Sequence, residues 1–117
     1  MLVPYKTTNQ KIAMGLLSFM PEEKDVKKLL KTIERYDSDP NWKLYLWKKE
    51  DFVGVIGIFI KEDRAYLEHV CVNPSFRHEG IGRAMLNELR RILPCELSPT
   101  SATRNFMIAC SEEEKSS

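Results

Sequence analysis

Apolar positions in the first third of the chain recur at helical spacing. A short apolar start at residues 2–5 reads as an edge strand. Ile12, Ala13, Leu16, Phe19 and Met20 then share one face, with Asn9 placed to cap that helix and Pro21 to stop it. Glu22 and Glu23 open a second predicted helix, whose stripe is Val26, Leu29, Leu30, Ile33 and Tyr36 with lysines between. Asp37-Ser-Asp-Pro40 breaks it. From there the period falls to two. Residues 43–48 alternate Leu44 and Leu46 against Tyr45 and Trp47, residues 52–60 are rich in β-branched side chains, and residues 65–72 form a third run. Polar turns at 49–51 and 61–64 separate these runs, so the middle of the chain reads as an antiparallel meander. Gly54 and Gly57 interrupt it and signal a bulge or a close backbone approach.

Residues 80–93 make the clearest helix, with Ile81, Met85, Leu89, Ile92 and Leu93 on its apolar stripe and Pro94 at its end. Residues 95–97 then fit a short strand parallel to 65–72, joined to it by a right-handed crossover through that helix. Thr100 or Ser101 is placed to cap a last helix over 102–110, and 111–117 reads as a polar, acidic tail. No repeat or linker divides the chain, so residues 1–110 are expected to form one domain.

Composition narrows the function classes. With 43% hydrophobic and 30% charged residues in 117, the chain has the makings of an ordinary buried core. Eighteen Lys and Arg against 17 Asp and Glu leave no basic excess, which argues against a dedicated nucleic-acid binder. Cys71, Cys95 and Cys110 are odd in number and widely spaced, so neither a disulfide framework nor a zinc site is expected. The longest apolar run, 52–60, is too short to span a bilayer. The start of the chain also lacks the pattern of a signal peptide. A cytoplasmic protein without membrane, nucleic-acid or metal partners is the resulting expectation.

Candidate chemistry concentrates in residues 67–82, where a strand, an Asn73-Pro74 stop and a glycine-bearing loop lead into a helix. Arg77-His-Glu-Gly-Ile-Gly82 has the form R-x-x-G-x-G. Glycines without a Cβ let an anion approach the peptide N–H groups, and the helix dipole favours negative charge there. Arg77, His78 and Arg83 add positive side chains. The plain alternative is a glycine turn that serves the fold alone. A dinucleotide fingerprint needs a third glycine after an early parallel strand, and a P-loop needs Gly-Lys-Ser/Thr; neither is present.

The pattern VxVxPxxRxxGxG on a strand–loop–helix resembles motif A of the GNAT N-acetyltransferases, and the upstream order of strand, two helices and three-strand meander resembles that family too. The opening Tyr5-Lys, with Ile12-Ala-Met-Gly-Leu-Leu-Ser-Phe-Met20, is similar to the RibT family, small GNAT-type proteins of bacterial riboflavin operons. The resemblance implies an α+β (mixed α/β) GNAT fold: a meander, then a V-shaped parallel opening beside the motif A helix, here C-terminally truncated. It implies acetyl-CoA as cosubstrate. The pantetheine arm would pair with the backbone of Val70, Cys71 and Val72. The pyrophosphate would lie over His78, Glu79, Gly80, Ile81, Gly82 and Arg83, with Arg77 beside them.

Acetyl transfer to an amine needs a base, and Glu68 and His69 are the candidates. Adjacent strand residues point to opposite faces, so only one should face the cleft unless a bulge intervenes. Some family members carry a glutamate on this strand; His69 has the better unperturbed pKa. Each also has a bland role, Glu68 as a solvent-facing residue and His69 as a packed ring. Many members carry a tyrosine acid in the last helix, where this chain has Met107. Trp42, Tyr45, Trp47 and Phe59 fit either an aromatic acceptor pocket or meander packing. Two functions therefore stand: an acetyltransferase acting on a small-molecule or peptide amine, with a flavin link by resemblance, or a non-catalytic CoA-binding module. The family's missing last strands would leave an open edge, for which a homodimer is expected.

Overall fold

The computed structural model describes residues 1–116, with side chains through residue 111. Five strands form one sheet in chain order: β1 (Leu2–Pro4), β2 (Trp42–Lys48), β3 (Phe52–Lys61), β4 (Arg64–Val72) and β5 (Leu97–Pro99). The first four pair antiparallel and β5 joins β4 in parallel. Between β1 and β2 lie α1 (Gln10–Leu17) and α2 (Val26–Ser38); α3 (Ile81–Ile92) joins β4 to β5, and α4 (Arg104–Ser116) follows. The mixed α/β expectation, meander and parallel addition included, is what the chain forms.

Two apolar cores sit on opposite faces of the sheet. Leu16, Leu17, Leu29 and Ile33 pack with Leu44, Leu46, Val55 and Cys71 on one face. Ile81, Met85, Leu86 and Leu89 pack with Val53, Ile56, Ile58, Ala65 and Leu67 on the other, where Met107 and Cys110 of α4 join them. A half-buried sheet residue alternates faces along a strand, so Ala65, Leu67 and Cys71 should all share one face. They do not. In the β3–β4 ladder Gly57 pairs with His69 and Ile58 with Leu67, which leaves Glu68 as an extra, unpaired residue. This β-bulge inverts the phase of β4. Ala65 and Leu67 before it face α3, and His69 and Cys71 after it face α1 and α2.

Several boundaries differ from the sequence reading. Asn9 makes no capping bond; residues 7–9 are a 3-10 turn that runs into α1. Pro21 starts a second 3-10 turn, Pro21–Glu23, and α2 begins only at Val26, where the Asp25 side chain accepts from the Lys27 N–H at 2.9 Å. A local cap therefore wins over the acidic pair at Glu22 and Glu23. Val26 and Leu30, assigned to the buried stripe of α2, are exposed, as are Ile12, Phe19 and Ile92. The last strand lies two residues later than expected, and α4 runs on to Ser116 rather than ending at Cys110. After α3 ends, residues 93–96 are used to reach the sheet edge, where the Ala65 N–H donates to the Glu96 carbonyl at 3.0 Å. Cys71 and Cys110 are buried and Cys95 partly so.

Candidate active site

The site begins where β5 leaves β4. The two strands pair only from Ala65–Leu97 to Leu67–Pro99. Pro99 has no N–H to extend the ladder. The hydroxyls of Thr100 and Thr103 then donate to the Leu67 carbonyl at 3.0 and 2.8 Å, which closes the corner. Beyond it the chain turns into α4, and the side of β4 away from β3 has no strand partner among the described residues from Glu68 to Val72. A cleft opens there, as the expected V-shaped parting requires.

Three hollows join end to end along this cleft. The first, about 240 Å³, is lined by Arg77, His78, Gly80, Ile81, Gly82 and Arg83. Val72, Arg77 and Phe106 also wall the second, a groove of about 400 Å³ along Val70, Cys71 and Val72. Met20, Glu22 and Ala102 carry the groove into the third, a cavity of about 230 Å³ that contains Glu68 and His69.

The first hollow has the backbone features of an anion site. Gly80 is the N-cap of α3 with φ 77° and has no side chain to cap the helix, so the start of α3 faces the hollow through backbone. A Cβ at Gly80 would meet nothing within 4 Å, so the space above it is open. His78 also has positive φ, 68°, which marks the loop as conformationally constrained. Glu79 turns away, holding Lys49 in an ion pair at 3.0 Å. Gly82 is needed for packing, since a Cβ there would stand 2.8 Å from the Phe106 ring.

The third hollow holds the titratable groups. The bulge places Glu68 and His69 in the wall of the same cavity. Burial pushes the Glu68 carboxyl above its usual range, with the charges of His69 and Arg35 pulling the other way. A raised carboxylate is better matched to accepting a proton near neutral pH. His69 is engaged on both ring nitrogens. Nε2 lies 3.0 Å from Glu23 Oε1, and Nδ1 lies 2.5 Å from the Tyr36 hydroxyl. The Thr32 hydroxyl donates to both Glu23 oxygens at 3.1 and 3.0 Å. All four residues are buried, and no buried side-chain polar atom among the described residues lacks a partner. Burial acts to raise Glu23, but the hydrogen bonds from His69 and Thr32 and the charges of His69 and Lys28 outweigh it and hold the carboxyl below its usual range. Burial, then the negative charges of Glu68 and Glu23, push the Tyr36 phenol well above its usual range, so it keeps its proton.

Sequence reasoning did not find Glu23, Thr32 or Tyr36 as members of this cluster. The one available signal was Gly57, whose missing side chain makes room for Tyr36. Of the four aromatic candidates, Trp42 lines the cavity and Phe59 stacks behind it at 5.2 Å, while Tyr45 and Trp47 pack with the α3-side core. Met107 is buried in that core. Among the described residues no group of three or more His, Cys, Asp or Glu side chains could hold a metal ion, and no helix is long and apolar enough to cross a membrane.

Known proteins match this arrangement. The model of the acetyltransferase (GNAT) family matches residues 10–106. An uncharacterized N-acetyltransferase from the lysA 3' region of Bacillus methanolicus is 48% identical over 113 residues, covering 94% of each chain. Among solved structures, the aminoglycoside acetyltransferase AAC(6')-Iy bound to the bisubstrate analogue CoA-S-monomethyl-acetylneamine superimposes with TM-score 0.78 at 16% identity, over 97% of this chain and 87% of that one. A possible acetyltransferase from Clostridium difficile 630 gives TM-score 0.78 at 15% identity, over 100% and 89%. At such identities the likeness is one of fold.

Proposed function

The chain belongs to the GNAT acetyltransferase family, and from that premise we propose that it transfers an acetyl group from acetyl-CoA to an amine held beside Glu68. The observation that carries this reading is the continuous cleft. It runs from a helix N-terminus opened by Gly80, past strand backbone with no strand partner on one side among the described residues, to a partly buried carboxylate. The first hollow fits a pyrophosphate through backbone N–H groups, with Arg77 and Arg83 in its wall. The free side of Val70, Cys71 and Val72 fits the amide-bearing pantetheine arm, as an added strand would. Structural relatives solved with coenzyme A support that occupant.

Acetyl-CoA supplies an activated thioester; the remaining roles fall to the chain. Glu68 takes a proton from the acceptor ammonium, and the freed amine attacks the thioester carbonyl. A strand N–H near Val70 polarises that carbonyl, a contribution on the order of 10²–10³-fold in rate. The new C–N bond forms as the C–S bond breaks, and the proton the nitrogen then sheds passes through water to the departing thiolate. His69 has no unengaged nitrogen, so its role in this reading is to tie the bulge to α2 through Tyr36 and to the Pro21–Glu23 turn through Glu23. A flavin-related acceptor belongs to the reading through the resemblance of the opening segment, and a homodimer covering the β5 edge through that edge's exposure. Light scattering across micromolar concentrations tests the latter.

A second reading, a CoA-binding module without catalysis, draws support from Met107, which is buried where the family resemblance expects a proton-donating tyrosine. Calorimetry with CoA tests both readings, and amine-dependent thiol release from acetyl-CoA separates them. Binding without release under any amine favours the module; absence of binding at millimolar CoA defeats both.

A further inference from the structure

The charges around the third hollow go beyond what a bare amine requires. Of its acidic residues, Glu23 is already satisfied by His69 and Thr32, which leaves Glu22 and Glu68. On the α2 side the same cavity presents Lys28 and Arg35. None of these four makes an ion pair within 4 Å among the described residues. Arg35 is close enough to Glu68 to pull its carboxyl downward, so both signs of charge meet within the reach of one small molecule.

Arg35 is also held in place. Its guanidinium carbon lies 5.3 Å from the centre of the Trp42 ring. Trp42 is in turn fixed by stacking on Phe59 at 5.2 Å and by the edge of Tyr36 at 5.4 Å. A guanidinium already ordered over an aromatic face loses little freedom on gripping an oxyanion, and its planar fork suits a carboxylate or phosphate. A polycationic acceptor would instead meet two like charges in this wall.

Resting on the acyl-transfer reading above, we propose that the acceptor is a small amine that carries its own oxyanion, a carboxylate or phosphate, with Arg35 and Lys28 receiving the anion while Glu68 receives the ammonium. Arg35 is then a specificity-determining residue. An amino acid or an aminoalkyl phosphate meets this description; a polyamine or an aminoglycoside does not.

The test is thiol release from acetyl-CoA with matched acceptors: L-ornithine against putrescine, γ-aminobutyrate against butylamine, phosphoethanolamine against ethanolamine, with spermidine and neamine as polycations. The oxyanion-bearing member of at least one pair should be favoured by about tenfold or more in kcat/KM, the scale of one charge-assisted hydrogen bond. The pair that responds distinguishes carboxylate from phosphate. Arg35→Ala should lower kcat/KM for that member about tenfold more than for its partner, chiefly through KM, and Arg35→Glu should reverse the preference. Equal or reversed preference in the parent overturns the proposal. So does a preference for spermidine or neamine, an Arg35→Ala effect equal on both members, or no turnover with any acceptor while acetyl-CoA binds. Failure of acetyl-CoA to bind the parent defeats the acyl-transfer reading itself and is read separately by calorimetry, with Arg35→Ala expected to bind CoA as the parent does.

Discussion

Tyr36 and Gly57 share one space: a Cβ built on Gly57 would overlap the Tyr36 hydroxyl and lie 2.6 Å from its ring carbon Cζ. Gly57 pairs with His69 across the β3–β4 ladder, immediately beside the bulge at Glu68. The absent side chain on β3 therefore lets a tyrosine from α2 reach the imidazole on β4. Gly57→Ala should lower stability by about 1–3 kcal/mol, the usual cost of overpacking. Gly54→Ala is the control, because its Cβ would meet the Met85 sulfur at 3.0 Å and that side chain is flexible. Its loss should stay below about 1 kcal/mol. Urea denaturation of the two variants checks the contrast.

Glu68→Gln should leave CoA affinity unchanged and slow acetyl transfer by about 10²-fold or more, as for loss of a general base. In the parent, rate should fall as pH drops through the raised Glu68 value, because only the carboxylate accepts a proton. Arg35 lowers that value, so Arg35→Ala should move the acid limb to higher pH. The check is a kcat/KM profile of both proteins with one and the same amine.

Glu23 makes a pH-dependent contribution to stability. Its folded value lies below the ordinary 4.5, so the stabilisation is present above 4.5 and fades as pH falls through the folded value. Glu23→Gln keeps the shape but not the charge, and should flatten that acid limb. Glu23→Ala leaves His69 and Thr32 without their partner and should cost about 1–3 kcal/mol at neutral pH. Denaturant melts between about pH 3 and 7 distinguish the two variants.

The cradle should respond at two glycines for different reasons. Gly80→Ala forces a side chain into φ 77° and should cost about 1–2 kcal/mol by strain. Gly82→Val drives into Phe106, which walls both the cradle and the groove, and should weaken CoA binding at least about tenfold. Thermal melts read the first effect and calorimetry the second.

The end of the cleft proposed for the cofactor was legible as an element in the sequence because it follows chain order: strand, Asn73-Pro74, Arg77, Gly80, Gly82, helix. The meander was legible from its period. The end proposed for the acceptor was not, because it is assembled across distance. Glu23 reads as one of a pair opening a helix, yet the Asp25 cap leaves it in a preceding turn, where it folds inward to His69. Tyr36 reads as the end of an apolar stripe, and its hydroxyl is what matters. The bulge at Glu68 adds one unpaired residue without changing the alternation of letters, so strand periodicity cannot register it. It is, however, what brings two neighbouring residues into one cavity.

The parting of β4 from β5 divides the cleft into two kinds of material. The end proposed for the cofactor is written mainly in backbone: peptide groups, a helix terminus, two glycines. The end proposed for the acceptor is written in side chains at Glu22, Lys28, Arg35 and Glu68, drawn from three separate segments. Substitutions at the second end leave the first in place. On the proposed reading, a few changes on α2 and the turn before it exchange one acceptor for another while the means of delivering the acetyl group stays unaltered.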